Sequence, residues 1–313
     1  MAETAVELDG LTRRFGSFTA VDSLSLRVDR GEVFGFLGPN GAGKSTTIRM
    51  LCGLLRPSAG KGTVAGVDIT RSPESVKPKI GYMSQLFSLY DDLTVVENLR
   101  FFGGIYGLPG RELEEALRPA LRNAGLEDSA SRMTGTLPPG WKQRLALASA
   151  VLHGPEIVFL DEPTSGVDPV TRRRFWDSIY DLADGGVTVF VTTHYMREAE
   201  YCGRLGMISR GRLIAVGTPG ELKSEVHPGG VLQMACDDAS AAAGRLEDLD
   251  EVEDATPTGS GVRVVPAPGS SSGEVTSAVE SLRLDGYRME SVEPSMEDVF
   301  VSLVRRESGG EGS

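Results

Sequence analysis

The nine residues GPNGAGKST, at positions 38–46, follow the short apolar run EVFGFLG and open a stretch of helical spacing. The pattern G-x-x-x-x-G-K-S/T in that setting leaves few folds open. A buried strand must deliver the chain into a glycine-rich turn, and a helix must start where the turn ends. The glycines let successive backbone N–H groups turn inward around a polyphosphate, and a helix beginning near Gly43 adds the positive end of its dipole. Gly38, Pro39, Asn40, Gly41, Ala42, Gly43, Lys44, Ser45 and Thr46 are therefore expected to cradle a nucleotide triphosphate. Lys44 would reach the terminal phosphates, and the Ser45 hydroxyl would ligate Mg²⁺.

The rest of the first two-thirds of the chain keeps the same alternation. Strand-like runs at 32–38, 79–85, 156–160 and 187–193 are separated by helical stretches at 44–55, 95–106, 111–124, 140–152 and 169–184. Continuous apolar runs such as EIVFL suit strands buried on both faces of a mainly parallel sheet, so the class is α/β. Turn residues in AVGTPGEL (215–222) and HPGG (227–230) then punctuate the chain, dividing a domain over 1–222 from a second over 230–307. The second reads strand 231–236, helix 239–249, strands 252–256 and 261–266, helix 273–284 and strand 287–292. That β-α-β-β-α-β order predicts a small α+β sandwich. A closing helix from Met296 carries Met296, Val299, Phe300 and Leu303 on one face and should dock. Residues 308–313, SGGEGS, read as a disordered tail.

The run IVFLDEPTSGVDP, at 157–169, supplies chemistry for the glycine-rich loop. A buried strand ending in Asp161 presents a carboxylate that can hold the Mg²⁺ shell, and Glu162 can orient and deprotonate an attacking water. Adjacent acids that divide into metal holder and base favour hydrolysis of ATP over phosphate transfer to a small acceptor.

The formal charge of −12 is unevenly placed. Residues 1–224 hold 26 acidic and 26 basic side chains; residues 225–313 hold 18 and 6. An acidic end repels phosphate backbones, which argues against nucleic acid as a partner. No run approaches the roughly 18 apolar residues of a membrane helix, and MAETAVELDG lacks the basic-then-apolar pattern of a secretory signal. Dealings with a membrane are thus expected to pass through another protein. Cys52, Cys202 and Cys236 are odd in number and far apart, and read as reduced thiols.

Taken in order, these motifs make residues 4–220 resemble the ATP-binding subunit of an ABC transporter, in particular the drug-efflux and antibiotic-resistance subunits that serve export-type permeases. The resemblance implies a P-loop NTPase core with a β-subdomain, a helical subdomain over about 88–152, and a mainly parallel sheet. It implies that two copies, or one copy and a related ATPase subunit, sandwich ATP at the cytoplasmic face of the cell membrane and drive a polytopic permease. It also assigns roles to single residues. Phe15 in LTRRFGSF matches the aromatic that stacks on adenine, and Gln85 in IGYMSQ the residue that touches Mg²⁺ and relays to the permease. Asp168 in SGVDP matches the loop that crosses to the opposite subunit, and His194 in VTTHYMREAE the histidine that contacts the γ-phosphate. Without the family, Phe15 would read as a core aromatic and Gln85 as a polar strand end. PSMEDVFVSLVRRE also resembles the closing helix of export-type subunits.

One motif departs from the pattern. The family's signature reads L-S-G-G-Q, whereas residues 137–141 read LPPGW, with prolines at the serine and first glycine positions. Proline is tolerated in a helix's first turn, so the fold should survive, and the Gly140 N–H with the helix dipole can still face a phosphate. We read it as a weakened signature; a purely structural turn with Trp141 packed at a subunit contact is the other reading. A soluble ABC-type ATPase acting on ribosomes or DNA is the competing function. Such proteins carry two cores or long coiled coils, and this chain shows one core and no repeat.

Overall fold

The computed structural model describes residues 3–85, 89–282 and 287–310 and divides the chain into two compact units, Met1–Val216 and Gly217–Ser313. In the first unit β1 (Thr4–Phe15) and β2 (Phe18–Asp29) form a long hairpin, and β3 (Val33–Leu37) leads through the glycine-rich loop into α1 (Lys44–Leu51). β4 (Ala59–Val64), β5 (Val67–Asp68) and β6 (Ile80–Met83) follow, then α2 (Val95–Ile105), α3 (Gly110–Asn123) and α4 (Pro139–Val151). The unit closes with β7 (Ile157–Asp161), α5 (Pro169–Asp184), β8 (Thr188–Thr193), β9 (Arg204–Ser209) and β10 (Arg212–Gly217), whose last residue begins the next unit.

Two sheets result. One is four-stranded, β2-β1-β4-β5, with antiparallel pairing. The other runs β10-β9-β3-β8-β7-β6, and the pairs from β9 to β6 are parallel. Helix α1 packs against both sheets, on β2 and β4 at one side and β7 at the other, which explains why Ile48, Met50 and Leu51 are fully buried. α5 covers the other face of the parallel sheet. Every residue of β3, β7 and β8 is therefore buried, as the continuous apolar runs predicted.

Helices α2, α3 and α4 share a separate apolar core built on Val95, Leu99, Leu117, Leu121, Leu145 and Ala148. α4 also leans on β6, so most of its middle turns are buried and its sequence lacks a strong polar face. The expected helical subdomain begins at 88, which lies outside the described residues; its first helix starts at Val95, where Thr94 and Glu97 form a reciprocal cap. α1 is shorter than its expected 44–55 span, because Gly53 (φ 67°) turns the chain where a side chain would meet the Pro73 carbonyl.

The second unit comprises α6 (Pro219–Val226), β11 (Val231–Ala235), α7 (Ala239–Glu247), β12 (Val252–Thr258), β13 (Gly261–Pro266), α8 (Ser272–Ser281), β14 (Arg288–Val292) and α9 (Met296–Gly310). Its sheet order, β12-β13-β11-β14 with antiparallel pairing, is the one a β-α-β-β-α-β chain makes when both helices cover one face. Two boundaries differ from expectation. α6 packs with α9, so residues 217–222 join the second unit rather than the first. α9 continues to Gly310, through the start of the expected tail; 311–313, like 283–284 of the expected 273–284 helix, lie outside the described residues. Met296 and Val299 are buried as the helical face predicted. Among the described residues no helix is long and apolar enough to cross a membrane.

Candidate functional site

The strand order decides where the chemistry gathers. β3, β8 and β7 are parallel neighbours, with Leu37 beside Thr193 and Asp161 beside Thr192. Their C-terminal ends therefore deliver the glycine-rich loop, His194 and the Asp161–Glu162 pair to one edge.

Glycine is required at two loop positions. A Cβ on Gly38 would lie 2.3 Å from the Ile208 carbonyl oxygen, and one on Gly43, which sits at φ 110°, would lie 2.5 Å from that of Ala20. Pro39, Asn40 and Gly41 are exposed at the lip, Ala42 is buried beneath, and Ser45 and Thr46 are half-buried. No side chain caps α1, so its first N–H groups open toward the loop. Lys44 folds back, donating to the carbonyls of Gly38 at 2.7 Å and Pro39 at 3.0 Å.

The two acids have different partners. Asp161 Oδ1 accepts the Ser45 hydroxyl at 3.0 Å and the Thr192 hydroxyl at 2.8 Å. Glu162 sits in the left-handed region at φ 48°, an uncommon place for a side chain of its size. Its N–H donates to Thr192 Oγ1 at 3.0 Å, which holds that conformation. The turn aims its carboxylate at three partners: Lys44 Nζ at 3.1 Å on one oxygen, and Gln85 Nε2 at 3.1 Å and His194 Nδ1 at 3.0 Å on the other. Burial drives the phenol of Tyr82, on β6, up to about 12, and the negative charge of Asp161 adds to it. The same two causes push the Cys52 thiol well above its ordinary range.

A cleft of about 470 Å³ opens over this cluster, bounded by the loop, Gln85, Glu162 and the tip of the β1–β2 hairpin. Phe15 and Phe18 are paired across that tip and both line the cleft. Phe15 is 47% exposed, so it is a rim residue and not core; the Arg13 guanidinium lies 4.5 Å from its ring centroid. The volume suits a nucleotide.

Mg²⁺ asks for hard oxygen donors in near-octahedral array and keeps several waters. The Ser45 hydroxyl and Asp161 carboxylate, 3.0 Å apart beside the loop, fit that demand. Gln85 presents its amide nitrogen to Glu162 and keeps its amide oxygen as a third donor.

The structure thus brings together Lys44, Ser45, Gln85, Asp161, Glu162 and His194, with Phe15 across the cleft. Gly140 and Asp168 stand apart from the cluster and near each other. Asp168 caps α5, accepting from the N–H groups of Val170 and Thr171, and hydrogen bonds from Thr171 and its neighbours hold its carboxyl below the ordinary range. Gly140 lies in the first turn of α4, 2.5 Å (measured from an added Cβ) from the Thr171 methyl. Pro138 is the N-cap and Pro139 the first helical residue, while the Trp141 and Lys142 N–H groups turn back to the Pro138 carbonyl. Sequence reading passed over Thr192, Phe18 and Gln143, whose buried amide donates to the Pro163 carbonyl. The signal for Thr192 was present in VFVTTH, where hydroxyls end an apolar strand.

This fold and loop define a P-loop NTPase core. The family profile described as "ABC transporter" matches residues 21–165, and a second, "AAA domain, putative AbiEii toxin, Type IV TA system", matches 140–196. The "Probable multidrug ABC transporter ATP-binding protein YbhF" of Escherichia coli (strain K12) is 55% identical over 223 residues, 71% of this chain; the match spans only 39% of that longer relative. The "Daunorubicin resistance ATP-binding protein DrrA3" of Streptomyces coeruleorubidus is 38% identical over 310 residues, covering 97% of this chain and 96% of that one. Among solved structures, the ATP-binding cassette MJ0796, described as a dimeric post-hydrolysis state bound to ADP and Pi, is 26% identical with a TM-score of 0.62, covering 68% of this chain and 98% of that one. The chain belongs to the ABC transporter ATP-binding family.

Proposed function

We propose that this chain binds and hydrolyses ATP and thereby powers a separate membrane permease that exports drugs or other amphipathic molecules. The observation that carries the reading is the Glu162 carboxylate, buried and held at once by Lys44, Gln85 and His194 beside an open phosphate loop. Phe15 would stack on adenine, and the residues at 38–46 would wrap the phosphates. Lys44 would neutralise the terminal phosphate. Glu162 would take a proton from the attacking water, with His194 turned to the γ-phosphate. Mg²⁺ would be held by Ser45 and Asp161, with Gln85 beside them, and would supply charge for the leaving phosphate oxygens.

Two copies, or one with a related subunit, would close over two ATP molecules, Asp168 and Gly140 facing across the contact. Binding can favour closure only by its differential affinity for the closed state, and hydrolysis removes that bias. The export reading draws on the drug-resistance names of the relatives, and the peripheral place at the cytoplasmic membrane face follows from the permease. Two measurements test it together. Glu162→Gln must lose ATP turnover while retaining ATP, and a polytopic membrane protein must co-purify with the native chain. Normal turnover removes the base assignment; co-purification of ribosomes in place of a membrane protein removes the permease.

A further inference from the structure

Behind the cluster lies a further buried carboxylate, one that the proposed chemistry does not use. Glu198, in the 3-10 turn Met196–Tyr201 that follows His194, is 1% exposed. Its Oε1 accepts the Thr164 hydroxyl at 2.5 Å and lies 3.3 Å from Arg172 Nε, an ion pair without hydrogen-bond geometry; that Nε and the Glu198 Oε2 are both buried with no hydrogen-bond partner among the described residues. Arg172, on α5, reaches two more segments. It donates to the Val167 carbonyl at 3.3 Å, and its guanidinium sits 4.7 Å from the Tyr195 ring centroid. Tyr195 in turn stands 4.0 Å, ring to ring, from His194.

One ion pair therefore touches the 164–168 loop that runs from Glu162 to Asp168, the helix that Asp168 caps, and the segment that carries His194. Apolar packing would fill this space without stranding a carboxylate oxygen, and buried ion pairs are weak sources of stability. What the pair provides is register: one planar guanidinium, 3.3 Å from the carboxylate, bonded to the Val167 carbonyl and set against the Tyr195 ring, permits few relative placements of the segments it joins. We propose that Glu198 and Arg172 are paired positioning residues for hydrolysis. They hold the Asp168 loop and the His194 segment in fixed relation behind Glu162, without touching nucleotide. This rests on the ATPase reading above.

The test uses the full chain, with Glu198→Gln, Glu198→Ala, Arg172→Met and the Glu198→Gln/Arg172→Met pair set beside wild type and Glu162→Gln. Turnover, ATP Kd and thermal midpoint are measured for each. Misplacement of reacting groups by about 1 Å costs up to about 10²-fold, so each single change should lower kcat by about 10-fold to 100-fold. ATP Kd should stay within about twofold, because no phosphate-loop contact is altered. Glu198→Gln keeps an oxygen for Thr164 and should lose less than Glu198→Ala. The double variant should be no slower than the worse single one, since the two residues act as a unit. The inference is overturned if folded Glu198→Gln and Arg172→Met keep wild-type kcat, if their losses multiply, or if kcat, ATP affinity and thermal midpoint all fall together. A wild-type chain that hydrolyses no ATP, indistinguishable from Glu162→Gln, overturns the functional reading and this inference with it.

Discussion

Lys44 Nζ lies 3.1 Å from Glu162 Oε1, and both side chains are almost wholly buried. With the Gly38 and Pro39 carbonyls also accepting from it, the ammonium is already surrounded by oxygen. An incoming phosphate must therefore compete with the residue assigned as base.

That competition shapes the first prediction. Glu162→Gln should slow turnover by about 10²–10⁴-fold, the usual cost of losing a general base. It should also bind ATP at least as tightly as wild type, because the charge facing Lys44 is gone. Lys44→Ala should lose affinity by about 1.5–3 kcal/mol, the worth of a hydrogen bond to a charged group. Equilibrium binding of labelled ATP separates the two; equal binding by both variants contradicts the geometry.

The hairpin tip makes a base-specific prediction. Phe15→Ala should weaken ATP binding by about 1–3 kcal/mol, as loss of aromatic stacking on a base does. Binding of inorganic tripolyphosphate, which has no base, should be unchanged. Competition titrations with both ligands check this, and a parallel loss for tripolyphosphate would mean that the ring supports the loop instead.

Residues 138 and 139 can be returned to the family pattern. Pro138→Ser/Pro139→Gly restores a hydroxyl and two N–H groups at the start of α4. In a Glu162→Gln background it should tighten ATP-dependent dimerisation by about 1.5–3 kcal/mol. Sedimentation velocity reads the change; no shift would mean that this turn is structural. A substitution at Gly140 would test the turn less cleanly, because its Cβ would lie 2.5 Å from the Thr171 methyl.

A pH prediction comes from the second unit. Asp298 is buried, which works to raise its carboxyl, but the Arg263 guanidinium and the Ser295 hydroxyl and N–H outweigh burial and leave it below its ordinary value. A depressed folded value means stability that is present above the unfolded value and lost as pH falls through the folded one. Asp298→Asn should thus cost toward the lower end of about 3–5 kcal/mol at pH 7, since Arg263 is partly exposed. Urea titrations of the two chains should converge as pH drops below about 4. A gap that stays constant with pH would show that Asp298 is not carrying the charge.

Finally, every residue of the Glu162 cluster lies in the first unit. A fragment ending at Gly217 should bind ATP with wild-type Kd by the same titration, and a folded fragment that fails to do so would give the second unit a share in the site.

Much of this was legible in the chain itself, because the information is local. A phosphate loop is one strand, one turn and one helix start, and its glycines, Lys44 and Ser45 are adjacent in sequence. The same holds for the strand ending in Asp161 and for the β-α-β-β-α-β order of the second unit. Phe15, Gln85, Asp168 and His194 needed the family resemblance, since an aromatic at a strand end and an amide, an acid and an imidazole just beyond strands or before a helix carry no periodicity that marks them.

What only the tertiary structure decided is who meets whom. Lys44, Gln85, Glu162 and His194 converge because β3, β8, β7 and β6 lie side by side in an order the chain does not follow, bringing distant segments to one edge. Thr192 joins the site because it sits beside Asp161 across a strand pair, and Glu198 met Arg172 through the packing of a turn on a helix. Those pairings depend on sheet order and on the burial of charge, and neither leaves a mark at short range in sequence.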